Sequence, residues 1–265
     1  MSYFYNQNLK LHYEVMGTGE PLVLIGGITC DINHWQLIKD DLSKSFKLIL
    51  LENRGLGQSE IATDNYTVAD MAADVIKMLD KLNISEASIL GHSMGGTVAQ
   101  YIGAYYGNRV KNLIISHSFI KFRASSIMYC EHNYTLQQIN ASPELRATSI
   151  LPFVYSDEFI SDKTNVSTFI ESIKQNQSPQ SLKSYKQQLS VISSVDSSLY
   201  ISNIYARTLV IAGKSDKLAP LNDSKEITKK IANSILIELP DAHVPMRETP
   251  KDYANLILNF LLDSN

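Results

Sequence analysis

The chain has 265 residues, 44% hydrophobic and 19% charged, with 24 Lys and Arg against 27 Asp and Glu. At about 150 residues per domain the length allows roughly 1.8 domains, so two domains and one α/β domain with a large insertion fit it equally. A net charge of -3 with no basic run excludes a nucleic acid or an anionic membrane surface as the expected partner, and this apolar content excludes a disordered chain.

Segments 3–5, 9–16 and 22–25 read as strands joined by tight turns, with Gly17-Thr18-Gly19 supplying the turn chemistry between the second and third. From there, short continuous apolar runs at 48–51, 87–90, 113–115, 209–212 and 235–239 alternate with helical patterns at 33–45, 68–82, 94–106, 224–232 and 252–262. Uninterrupted apolar strands are those buried on both faces of a parallel sheet. Thr67, three residues before Asp70, gives the helix at 68–82 a capping-box start.

The rhythm breaks between 119 and 199, a stretch rich in Ser, Gln and Asn with helical spacing at Phe169, Ile170 and Ile173. It lies between two sheet strands and is expected to form an inserted helical cap (119–199) on a core made of 1–118 and 200–265. Its charges cancel, seven Lys and Arg against seven Asp and Glu over 119–200, and its large apolar residues are expected mainly to build its own core. Of these, Phe122, Met128 and Phe153 are candidates to face a pocket. A neutral, apolar cap suggests a neutral or weakly charged organic substrate.

Residues 1–21 lack the cationic start and apolar run of a secretory leader, and no segment approaches the roughly 20 apolar residues of a membrane span. A cytoplasmic protein, monomeric or homodimeric, is expected. Cys30 and Cys130 have no Cys-x-x-Cys partner and no His at metal-ligand spacing, so neither a disulfide scaffold nor a structural zinc or other metal site is expected, and no cofactor is called for.

The strongest local signal is Gly91-His92-Ser93-Met94-Gly95, followed by Gly96, at the junction of a strand and a helix. A nucleophile on such a sharp turn needs small neighbours, and the helix start beneath it supplies an N–H, that of Met94, for an oxyanion. A serine hydroxyl needs a base, and the base a carboxylate, in the chain order Ser, acid, His. Asp216 and His243 each follow a strand run and complete that order. Asp223 is expected to start a helix instead, and Asp241 sits too close in chain to His243 to orient it. The loop Gly26-Gly27-Ile28-Thr29 offers the Ile28 N–H as a second oxyanion donor, with Gly27, His92 and Val244 as further pocket candidates.

Together these motifs resemble the α/β-hydrolase superfamily over nearly the whole chain. Glu52-Asn53-Arg54-Gly55-Leu56-Gly57-Gln58-Ser59 is similar to the family's acidic-x-Arg-Gly-x-Gly-x-Ser turn, and Ala242-His243 with Glu248-Thr249-Pro250 to its closing His segment. Small capped esterases and enol-lactonases look nearest. The resemblance implies a mostly parallel central sheet flanked by helices, and hydrolysis of a small or medium ester, thioester or lactone through an acyl-enzyme on Ser93. Carbon–carbon bond hydrolases, proline iminopeptidase-like amidases and non-catalytic receptors share the fold; for an amine substrate Glu131, Glu144, Asp157 and Glu158 are available. Two positions depart from the pattern: Gly26 stands where the family has His, and Glu52 where it has Asp.

Overall fold

The computed structural model describes residues 2–176 and 179–263. Positions 1, 177, 178, 264 and 265, which the expected core and cap ranges include, lie outside the described residues. The chain runs β1 (Ser2–Asn6), β2 (Leu9–Met16), β3 (Glu20–Ile25), α1 (Lys39–Ser43), β4 (Phe46–Leu51), α2 (Val68–Lys81), β5 (Ala87–His92), α3 (Met94–Tyr105) and β6 (Val110–Ser116). Five helices follow: α4 (Ala124–Gln138), α5 (Pro143–Val154), α6 (Asp157–Ser161), α7 (Lys163–Gln175) and α8 (Leu182–Ser194). The chain then closes with β7 (Arg207–Gly213), α9 (Leu221–Lys230), β8 (Ser234–Leu239), α10 (Pro245–Glu248) and α11 (Pro250–Leu262).

All eight strands form one sheet in the order β1-β2-β4-β3-β5-β6-β7-β8. The β1–β2 and β2–β4 pairs are antiparallel and the other five parallel. Val23, Ile25, Ile49, Leu51 and Ile89 point into one buried cluster, with α2, α3 and α9. Their neighbours Leu22, Leu24, Leu48, Leu50 and Leu90 point into the other, with Trp35 and α11. With both faces buried, most positions of the central strands are apolar, which is why these strands read as continuous apolar runs.

The Gly17–Gly19 turn joins β2 to β3 as expected, but the two strands are not paired: β2 pairs with β4, and the chain steps past that strand to begin β3. Gly17 and Gly19 have φ of 74° and 104°, and a β-carbon on Gly17 would fall 2.4 Å from the Phe46 carbonyl oxygen. The turn is glycine-rich because it leans on the start of β4. The expected helix at 33–45 is divided into a 3-10 turn (Ile32–Trp35) and α1, although Trp35, Ile38 and Leu42 are all buried. Inward spacing survives there without a continuous helix. The Thr67–Asp70 capping box forms in both directions.

The helices between β6 and β7 enclose a small core in which Ala147, Leu151 and Tyr155 pack with Phe159, Phe169 and Ile170. Hydrogen bonds tie this insertion down on opposite sides. Ser184 Oγ donates to the Gly55 carbonyl (2.9 Å) and Gln187 Nε2 to that of Ala62 (3.0 Å). On the other side Lys217 Nζ donates to the Pro152 carbonyl (2.8 Å). Among the described residues no helix is long and apolar enough to cross a membrane.

Candidate active site

β5 ends at His92, and Ser93 turns the chain into α3 with φ 54° and ψ -118°, a conformation that costs an L residue about 1–3 kcal/mol. The surrounding glycines make the turn possible. A β-carbon on Gly91 would lie 2.1 Å from the Gly95 oxygen, one on Gly95 2.1 Å from the Ile25 oxygen, and one on Gly96 2.4 Å from Ser118 Cβ. Ser93 is pinned through its backbone: its N–H donates to the Ser116 carbonyl (3.0 Å), and its own carbonyl accepts from Ser118 Oγ (2.8 Å).

The loop after β8 brings His243 Nε2 to 3.0 Å from Ser93 Oγ, and the loop after β7 brings Asp216 Oδ2 to 2.8 Å from His243 Nδ1. A carboxylate can only accept, so it fixes the proton on Nδ1 and leaves the Nε2 lone pair for the serine O–H. The second carboxylate oxygen of Asp216 accepts the N–H groups of Leu218 (2.8 Å) and Ala219 (2.9 Å), which sets the orientation of the whole group. All three side chains belong to residues at least nine-tenths buried. The rival carboxylates are engaged elsewhere. Asp241 meets His117 Nε2 (3.2 Å) and accepts from Thr249 Oγ1 (2.8 Å), while Asp223 pairs with Arg123 (2.5 Å).

Gly27 abuts the serine: a β-carbon there would stand 3.0 Å from Ser93 Cβ and 3.4 Å from its Oγ. Among the described residues neither the Ile28 nor the Met94 N–H donates a hydrogen bond. The loop holding Ile28 is fastened by Asn53, whose Nδ2 donates to the Gly26 carbonyl (3.0 Å), and by the Cys30 N–H on the Gly27 carbonyl (3.3 Å). Gly26 has no space for a larger residue, since its β-carbon would sit 2.9 Å from Cys30 Cβ. Glu52 uses its extra methylene to bend back beneath Gly57, accepting the Gln58 N–H (2.6 Å) and meeting His12 Nδ1 (2.9 Å).

Ser93 and His243 open into a cavity of about 360 Å³. Gly27, His92, Phe122 and Val244 line it as expected. Met128 and Phe153 do not: they are 68% and 40% exposed. On α4 the cavity face carries Tyr129, Asn133 and Gln137, spaced four apart, which turns Met128 outward. On α5 it carries Arg146, Ile150 and Val154, and Phe153 packs instead on the outer side of Tyr129 (4.6 Å between rings).

Sequence reasoning missed the two cations of this lining, Arg146 and Arg247. Neither guanidinium has an ion pair among the described residues, and burial lowers the pKa of Arg146. Arg146 stands one turn before Ile150 on the same helix face, a signal available in the spacing; Arg247 follows His243 by four residues. The imidazoles of His34, His92 and His243 also cluster, with ring centroids 4.8 and 5.1 Å apart. Burial, reinforced by the Arg247 guanidinium and then by the neighbouring His243 ring, lowers the His34 pKa to about 3, and burial with the neighbouring imidazoles lowers that of His92 strongly.

A family model for the alpha/beta hydrolase fold matches residues 20–243, and the chain belongs to that family. It is similar to 3-oxoadipate enol-lactonase 2 of Acinetobacter baylyi, at 22% identity over 95% of this chain and 92% of the relative. The solved enol-lactonase of Burkholderia xenovorans LB400 superposes with a TM-score of 0.87 at 21% identity, covering 99% of this chain and 100% of that one. The meta-cleavage product hydrolase of Pseudomonas fluorescens IP01 gives a TM-score of 0.79 at 20% identity, over 100% and 98% of the two chains. One fold thus serves relatives with different reactions, and the substrate has to be argued from the site.

Proposed function

We propose that the protein is a serine hydrolase that cleaves a small or medium carboxylic ester, thioester or lactone carrying a carboxylate group. The reading rests on the hydrogen-bonded line from Asp216 through His243 to Ser93, which opens at its serine end into a cavity. His243 takes the Ser93 proton as Oγ attacks the carbonyl carbon. The N–H groups of Ile28 and Met94 receive the oxyanion, and the Asp216 carboxylate stabilises the imidazolium. Collapse expels the alcohol, thiol or ring oxygen, which leaves with the proton from His243. Water activated by the same imidazole then attacks the acyl-enzyme and frees the acid and Ser93. Residues 119–199 serve as the cap over this chemistry, and two free thiols suit a reducing cytoplasm.

The charge of the substrate is where this reading parts from the neutral cap of the sequence. Charges that cancel in the chain are separated in space: Arg146 and Arg247 line the cavity, whereas Glu131, Glu144, Asp157 and Glu158 do not. An amine substrate therefore finds no acid from the insertion, and a carboxylate finds two guanidinium groups. The test compares a neutral p-nitrophenyl butyrate with a hemi-ester of a dicarboxylic acid. Ser93→Ala is expected to lower kcat/KM on both by at least about a thousandfold. Arg146→Ala is expected to lower it about 10 to 100-fold on the hemi-ester and only a fewfold on the neutral ester, matching a charge-assisted hydrogen bond. Near wild-type turnover by Ser93→Ala would overturn the mechanism, and equal losses on both esters with Arg146→Ala the carboxylate.

A further inference from the structure

Cys30, on the loop after β3, His34, on the following 3-10 turn, and His92, at the end of β5, converge on one wall of the cavity beside Ser93. The Cys30 Sγ and one ring nitrogen of each imidazole all lie within 4.8 Å of one another. The geometry points to a binding site for a borderline-soft divalent ion, Zn²⁺ above all, formed by the Cys30 thiolate and the imidazoles of His34 and His92, through which the metal inhibits the hydrolase.

Three features carry this. The first is donor chemistry: one sulfur and two imidazole nitrogens are a ligand set zinc takes readily, and three protein ligands leave a fourth position for water. The second is spacing. His34 Nε2 stands 3.2 Å from His92 Nδ1. Two nitrogens bound tetrahedrally at the usual zinc distance stand about 3.3 Å apart, so this pair needs almost no adjustment. The third is orientation. His92 Nε2 is 2.7 Å from the His243 carbonyl oxygen, which can only accept, so that nitrogen carries the proton and Nδ1 keeps its lone pair toward His34 Nε2. A backbone partner of this kind is what fixes a metal-binding imidazole. On binding, Cys30 loses its thiol proton to solvent, and His34 takes the tautomer with its proton on Nδ1. The Arg247 guanidinium, on the same cavity lining, opposes the cation; the thiolate and the Asp31 carboxylate, also in the lining, offset it.

The inhibitory part rests on the catalytic roles proposed for Ser93 and His243. The His92 ring is 5.1 Å from that of His243, so a bound dication disfavours the imidazolium that forms when His243 takes the serine proton. Its water and ligands also occupy the wall next to Gly27, where the substrate carbonyl has to approach. Sequence spacing alone shows no metal site, because the third ligand lies 58 residues beyond His34, and only the sheet brings it there.

The test separates binding from activity. Wild-type protein is titrated with Co²⁺ and followed by the thiolate-to-cobalt charge-transfer absorption, then with Zn²⁺ in competition. One equivalent per chain is expected, with the absorption lost in Cys30→Ala and affinity at least tenfold weaker in His34→Ala. Absent or non-saturating absorption, or absorption and affinity unchanged by both substitutions, would overturn the site even in an inactive protein. With p-nitrophenyl butyrate, stoichiometric Zn²⁺ is expected to inhibit wild type and EDTA to restore it. Saturated binding with unchanged turnover would overturn the inhibition and leave the hydrolase reading standing.

Discussion

Three carboxylates, Asp216, Asp223 and Asp241, lie on or near the loops that follow the last two strands, and they differ by what their oxygens meet. Asp216 accepts two backbone N–H groups with one oxygen and faces the His243 Nδ1 with the other. Asp241 has the same chemistry but joins the buried His117 to Thr249, a structural link between β6 and the start of α11. Removing each should therefore have opposite effects. Asp216→Asn is expected to lower kcat by about 10³ to 10⁴ while the thermal midpoint moves little, because the asparagine amide favours the wrong imidazole tautomer. Asp241→Asn is expected to cost about 1–3 kcal/mol of stability, read by urea unfolding, with kcat within a fewfold of wild type. An exchange of these two outcomes would move the orienting role to Asp241. The three groups that meet at Ser93 were legible because each is announced locally, by a glycine pattern or by the end of an apolar run. Met128 and Phe153 were not, since hydrophobicity alone does not say which side of a helix meets the cavity.

At the scale of elements, all eight strands can be read from the sequence: burial on both faces writes apolar runs at β3 to β7, whereas β1, β2 and β8, toward the two edges of the sheet, are partly exposed and are read from shorter apolar stretches and their flanking turns. Their pairing cannot: β2 passes over β3 to join β4, and nothing local to the Gly17–Gly19 turn reports a partner some thirty residues away. The turn after β4 works in the same non-local way. Arg54 is held by Asp74 of α2 through Nε (2.6 Å) and Nη2 (2.9 Å), and this anchors Asn53 where its amide reaches the Gly26 carbonyl. The loop that lacks the family's histidine is thus secured from the neighbouring strand's turn. In the proposed mechanism Asn53 therefore serves as a positioning residue for the Ile28 N–H. Asn53→Ala is expected to lower kcat about tenfold with KM nearly unchanged, since an oxyanion donor stabilises the transition state rather than the bound ester. A rise in KM at constant kcat would mean that the loop shapes the pocket instead.

For the molecule as a whole, the length that admitted two domains is used as one sheet interrupted between β6 and β7, with Ser93 before the interruption and Asp216 and His243 after it. The insertion touches the site directly, for the Val154 carbonyl accepts the His243 N–H (3.1 Å). Charge shows the limit of sequence reading at this scale. A net charge of -3 and a balanced insertion say nothing about the cavity, whose lining includes Arg146 and Arg247, neither ion-paired among the described residues. The central claim is that Ser93 is a nucleophile activated by His243, and the most direct measurement is reaction with a fluorophosphonate followed by intact mass and peptide mapping. One adduct per chain on Ser93 is expected, absent in Ser93→Ala and slowed at least about a hundredfold in His243→Ala. A folded wild-type protein that stays unlabelled, or a Ser93→Ala protein labelled equally well, would contradict the account.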